Sequence, residues 1–312
     1  MEVNEMMITV IIDFVKKWTL PIAMVVGALT FPLMIKLSFL TPFLIFVMLL
    51  LTFCKISPRD LKLKPVHGWL LLIQIAGSLL FYFLVAPLNE LVAQAGLICI
   101  ICPTATTAAV ITDKLGGNAA SLTTYTLLIN IVVAVYISVI FPFITDNEDL
   151  SFLRSFYLIM SRVFPLLVAP FILAFLLEKY WKRLHRVLLS YHGLAFYLWA
   201  VSLAIVTAQT LYAIIYHPAD GKTEILIAVV SLAVCGFQFF IGKQIGTMYN
   251  DRIASGQALG QKNTILAIWI TQSYLNPLAS IGPGAYVLWQ NIINSWQLWK
   301  KEKRDNMVNL HN

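Results

Sequence analysis

Charge is what this sequence has least of. Asp, Glu, Lys and Arg make up 12% of its 312 residues, against 59% hydrophobic ones, and the mean hydropathy is +0.81. A soluble domain carries about a quarter charged residues, so a water-facing surface of ordinary polarity is excluded. Strand-like alternation is also missing. Apolar runs recur from Trp18 to Trp299, and they are continuous and about 20 residues long, as spanning helices require. Backbone groups in hydrocarbon must be satisfied internally, which leaves helices or a closed barrel, and unbroken runs exclude barrel strands.

Paired metal-ligand spacings are absent too. The four cysteines are Cys54, Cys99, Cys102 and Cys235. Cys99 and Cys102 form a CxxC without a second Cys/His pair nearby, so small packing residues are expected rather than a metal or redox centre. His185, His192 and His217 are scattered without ligand spacing, and no cofactor is expected. Residues 1–13 lack a basic start and a small-residue cleavage site, so no cleavable signal peptide is expected.

The charges that are present sit in clusters. The net charge of +7 comes from groups flanking hydrophobic runs: Lys55, Arg59, Lys62 and Lys64; Lys179, Lys182, Arg183 and Arg186; Lys300, Lys301, Lys303 and Arg304. That is the pattern of cytoplasmic loops, not of a groove for phosphates, so no nucleic-acid partner is expected. The acidic stretch Asp146, Glu148 and Asp149 lies apart from all three clusters.

The runs predict ten membrane segments: 18–36, 39–55, 66–86, 90–115, 118–144, 154–178, 192–216, 223–243, 247–275 and 281–299. Ten spans with both termini in the cytoplasm put every basic cluster inside and the acidic loop outside. Residues 1–17 read as an amphipathic segment on the membrane surface, and 300–312 as a basic cytoplasmic tail. The expected fold class is an all-α polytopic membrane protein in the cell inner membrane, with the lipid bilayer as its partner.

Segments four and nine differ from the rest. The fourth carries Pro103 in mid-membrane followed by Thr104, Thr106 and Thr107. The ninth carries Gly256 and Gly260 among Gln257, Gln261, Lys262, Asn263 and Thr264. Proline removes a backbone donor and glycine favours unwinding, so both are expected to be broken helices. They hold the same place in two five-segment halves, 18–145 and 151–299. An odd number of spans per half makes the halves an inverted repeat. Paired interrupted helices in inverted halves point to a transporter binding site. No His, Asp or Glu lies near these breaks in mid-membrane, so no enzyme is expected.

At these residues the chain resembles the bile acid:sodium symporter family, from about Leu20 to Trp299. The similarity is strongest in Phe43 to Gln74, with its Lys55-Ile-Ser-Pro-Arg-Asp-Leu loop, in Pro103 to Asn118, and in Gly260 to Ala267. The resemblance implies a core domain in which helices four and nine cross at their breaks. It also implies a panel domain of segments one, two, six and seven, with a substrate held between the two and moved by alternating access.

The new helix N-termini near Thr106 and Asn263 would suit a carboxylate, with Thr107 and Thr264 adding donors. The family's substrate-contacting threonine and asparagine fall at Thr106 and Asn263, and a cavity-facing polar pair falls at Gln290 and Asn291. The sodium ligands do not carry over. The Ser-Asn pair of helix four becomes Ala108 and Ala109, and the shared glutamate of helix nine becomes Ala258. The fifth-helix hydroxyls become Leu122 and Thr126, and a glutamine becomes Lys262, while Gln74 survives. Lys262 is expected to stand where a sodium ion would, donating to Gln74, Thr126 and unwound carbonyls. The leading expectation is a carrier for a small organic anion, bile-acid-like or a hydroxy-acid carboxylate, without classical sodium coupling and with a proton as the alternative coupling ion. A sodium symporter with sites rebuilt from Gln74, Thr126, Gln257, Gln261 and backbone carbonyls, and a receptor that does not transport, stand as rival readings.

Overall fold

The computed structural model describes residues 22–55, 61–105, 107–144, 151–191, 194–216 and 220–310. The amphipathic segment expected over 1–17 lies outside them, as does Thr106. Among the described residues the secondary structure is helical throughout, with one isolated bridge between two extended residues.

The chain begins with helical residues 22–29 (α1) and α2, Phe31–Lys36. A 3₁₀ turn then leads into α3, Thr41–Phe53. α4 spans Pro65–Val85; its proline at the first helical position needs no partner for a missing N–H. α5, Glu90–Ile101, starts at Asn89, whose side chain accepts from Val92 N. Next come α6, Ala108–Lys114, α7, Ala119–Ile144, and α8, Phe152–Tyr180. α9, Lys182–Ser190, is short and basic, and is followed by α10, Leu194–Tyr216. α11, Gly221–Met248, packs against α12, Arg252–Gly260. α13, Thr264–Tyr274, and a 3₁₀ turn lead to α14, Ile281–Leu310.

Among the described residues helix is present in each of the ten stretches marked by the apolar runs, in two pieces in segments four and nine and also in segment one, where α1 and α2 part at Thr30. Among the described residues five single helices, α4, α7, α8, α10 and α11, are long and apolar enough to cross a membrane. The molecule has the character of a helical membrane protein. The exposed apolar side chains fit that character, with Leu88 85%, Leu29 79% and Phe83 68% accessible. The basic stretch after residue 299 is helical, because α14 continues through it to Leu310.

The helices pack in two groups. α3 lies on α8, and α10 on α2 and α3. On the other side α4 packs on α5, and α11 on α5, α12 and α14. α7 joins the groups by lying along α8, and α10 meets α13. A single apolar cluster runs from Ile45 and Leu49 through Leu97, Ile98 and Ile137 to Leu266 and Ile270.

Candidate functional site

The two interruptions meet. α5 ends at Ile101 and α12 at Gly260, and each continues as a short extended strand, at Cys102 (ψ 140°) and Gln261 (ψ 103°). Thr104 and Lys262 pair in antiparallel fashion. Ala105 N donates to Gln261 O at 2.9 Å and Asn263 N to Pro103 O at 2.8 Å. Each break thereby satisfies the backbone groups the other leaves open, which apolar surroundings demand. Side chains add to the crossing: Thr104 Oγ1 donates to Ala258 O at 2.8 Å, and Cys102 Sγ to Asn263 O at 3.1 Å.

Helix C-termini expose carbonyls at the negative end of the helix dipole, and here they draw the strongest donors. Lys262, 1% exposed, sends its Nζ to Ile100 O at 2.9 Å. Gln74 Nε2 donates to Ile101 O and Cys102 O at 2.8 and 2.9 Å, and Tyr125 Oη holds Gln74 Oε1 at 2.7 Å. At the end of α12, Tyr286 Oη donates to Gly260 O at 2.9 Å. Gln290 grips the unwound backbone of Lys262 on both sides, accepting from its N at 2.8 Å and donating to its O at 3.3 Å. A buried ammonium costs several kcal/mol unless partnered; carbonyls at a helix C-terminus offset part of that cost.

The candidate residues separate into three sets. Gln74, Gln261, Lys262, Asn263 and Gln290 converge on the crossing. Thr107 joins them, taking a hydrogen bond on its Oγ1 from Gln261 Nε2 at 2.9 Å. Asn263 caps α13, its Oδ1 accepting from Leu266 N at 3.2 Å, and Thr264 opens that helix, buried. Two expectations are corrected. The Lys262 ammonium bonds to a backbone carbonyl, as expected, but that of Ile100, and not to the side chains of Gln74 or Thr126. Thr126 turns to its own helix, donating to Leu122 O at 3.0 Å. The second half of segment four starts at Ala108, close to the expected start, and its Thr107 cap makes no side-chain cap bond. Asn291 likewise donates to its own helix, to Val287 O. Ala108 and Ala258 are buried and offer only methyl groups, with Ala109 half-buried beside them. Among the described residues no three His, Cys, Asp or Glu side chains form a set for a metal.

Beside the crossing lies a cavity of about 250 Å³, walled by Met24, Leu203, Thr207, Ile268, Val287 and Leu288 among others. It sits between α1 and α10 on one side and α13 and α14 on the other. Ile268 is one turn beyond Thr264, and Val287 one turn before Asn291.

A second polar cluster escaped the sequence reading. Asp251, 4% exposed, accepts from Ser121 Oγ and pairs with Lys64 Nζ at 3.3 Å. His67 Nε2 meets Ser121 Oγ at 2.9 Å, while its Nδ1 accepts from Lys64 N at 3.3 Å. With the Ser121 hydroxyl proton given to Asp251, His67 carries its proton on Nε2. No signal in the sequence brings Lys64, His67, Ser121 and Asp251 together.

No family model matches the chain, and no curated protein matches it closely. What the fold and site define is a class: a helical protein of membrane character whose two broken helices cross at a buried lysine.

Proposed function

We propose that this chain is a secondary transporter of a small organic anion in the cell inner membrane, spanning it ten times as two inverted five-helix halves. The observation that carries the reading is the crossing of two interrupted helices around Lys262. Interrupted helices expose backbone at membrane depth only where it is buried in protein or lines a cavity, and that is characteristic of transporters. The packing of α2, α3, α8 and α10 among themselves, with α3 and α10 meeting α13 at the boundary, supports a panel that moves against a core. The resemblance to the bile acid:sodium symporter family agrees with it.

The substrate enters the adjacent apolar cavity with its carboxylate toward Asn263 and Thr107, at the starts of α13 and α6. A nearly all-hydrocarbon lining favours an anion with a substantial apolar body over a small, heavily hydroxylated one. Lys262 takes the place of a coupling cation and holds the crossing without sodium. The rebuilt-sodium alternative has few ligands left: Gln74 is spent on Tyr125 and two carbonyls, and Thr126 on its own helix. Among its side chains the unpartnered Oε1 atoms of Gln257 and Gln261 remain, so backbone carbonyls would have to supply most of the oxygens a hard cation takes.

Uptake of a radiolabelled amphipathic monocarboxylate into liposomes holding the purified protein is the test, run in sodium and in choline buffers. Equal uptake in both, lost in Lys262→Gln, is expected. Sodium-dependent uptake, with sodium raising the thermal stability of the unmodified protein by mass action, would restore the symport reading. Saturable binding without uptake would make the chain a receptor.

A further inference from the structure

α14 carries a buried polar stripe that the crossing alone does not use. Tyr286, Gln290, Asn294 and Gln297 are 0%, 6%, 4% and 8% exposed, at spacings of four, four and three that keep them on one helix face. The stripe begins at the crossing, where Gln290 grips Lys262. One turn on, Asn294 Oδ1 accepts from Gln257 Nε2 of α12 at 2.8 Å, and Gln297 Nε2 points at the same oxygen from 3.5 Å. A turn further, Lys301 lies against Gly116. Gly116 borders a polar basin of about 460 Å³ that Asn118, Asn250 and Arg252 also line.

If these amides only glued α14 to α12, both ends of each would be matched. They are not. Gln257 Oε1, on a residue 0% exposed, has no hydrogen-bond partner among the described residues. Buried polar atoms without protein partners are rare and are ordinarily met by water.

We propose that water threads this stripe, forming a polar seam from the basin at Gly116 to the backbone of Lys262. The lysine then has aqueous contact with the face bearing Lys300, Lys301 and Lys303, the cytoplasmic face in the orientation proposed above. The seam rests on that orientation for its sidedness but not on transport, because its test needs neither substrate nor flux.

The test is thiol labelling with a charged, membrane-impermeant methanethiosulfonate, added to either side of oriented vesicles and scored by mass over the native cysteine background. Thiolates form and react where water reaches them. Asn294→Cys and Gln297→Cys are therefore expected to label about tenfold faster than Ile293→Cys at the same depth. Labelling is expected only from the side that labels Lys303→Cys. Asn294→Cys as inert as Ile293→Cys, or labelled from the opposite side, overturns the seam. Should the variants misfold, nuclear magnetic resonance on the unmodified protein decides. Direct magnetisation transfer from water to the Gln257 and Asn294 side-chain amides is expected, and its absence overturns the proposal. A dry seam leaves the transporter reading standing, and failed transport leaves the labelling pattern to be explained.

Discussion

Gln74 shows how much one side chain in this molecule organises. Its amide donates to two carbonyls at the end of α5, and its oxygen takes the Tyr125 hydroxyl. Gln74→Leu keeps the volume but leaves three groups without their partner in apolar surroundings. The expected loss is about 1–3 kcal/mol, read as a lower midpoint of thermal unfolding. Tyr125→Phe alone should cost less and add nearly nothing in the Gln74→Leu background, as members of one network are non-additive. Additive losses would mean that the two residues act separately. Gln74 was legible from the sequence as a crossing residue, but Tyr125 was not. The family resemblance points to its neighbour Thr126, and one residue along a helix turns the side chain by about 100°. A lone sequence states the type of a polar group in a membrane segment more readily than the direction it faces. Lys262 repeats the lesson: its burial follows from its position in segment nine, whereas its choice of the Ile100 carbonyl depends on where α5 stops.

Among the elements, the breaks were the most legible features because Pro103 and the polar run around Gly260 leave a continuous helix no chemical means to persist. Helix ends were harder. α14 outruns its apolar stretch because Lys, Glu and Arg are good helix formers, and charge ends a membrane run without ending a helix. The α11–α12 hairpin depends on something the sequence states only as glycine. At Gly242 a Cβ would collide with Ser255 O and meet Gly256 Cα at 3.1 Å, all backbone atoms, whereas at Gly236 it would meet nothing within 4 Å. Gly242→Ala is expected to force α12 away and destabilise by about 1–3 kcal/mol. Gly236→Ala on the same helix should be neutral, or stabilising by up to about 1 kcal/mol from helix propensity. Thermal unfolding of the pair in one detergent decides the point. Equal tolerance of both would show that α12 can shift freely, and the crossing it carries could not then be held by this hairpin.

For the whole molecule, the placement of charge sets what holds it together. Of the buried residues that can carry charge among those described, His67, Asp251 and Lys262, two share the Ser121 network and the third is met by a carbonyl. Lys64, which pairs with Asp251, is about one-third exposed. This network was invisible in the sequence because it gathers α4, α7 and the start of α12 across separations of 54 and 130 residues. The basic clusters on α9 and the end of α14 lie on exposed faces, where salt screens charge over about 10 Å and a pair contributes at most about 1 kcal/mol. Cohesion therefore rests on apolar packing and on hydrogen bonds shielded from solvent. Raising choline chloride from low to molar concentration is expected to move the unfolding midpoint by no more than about 2 °C, since screening reaches only surface pairs. Lys64→Met, which leaves Asp251 without its cation, should lower the midpoint by more than salt does. A strong salt dependence in the unmodified chain would instead mean that the surface clusters bind one another through shared anions, and the fold would then owe part of its stability to its charged ends.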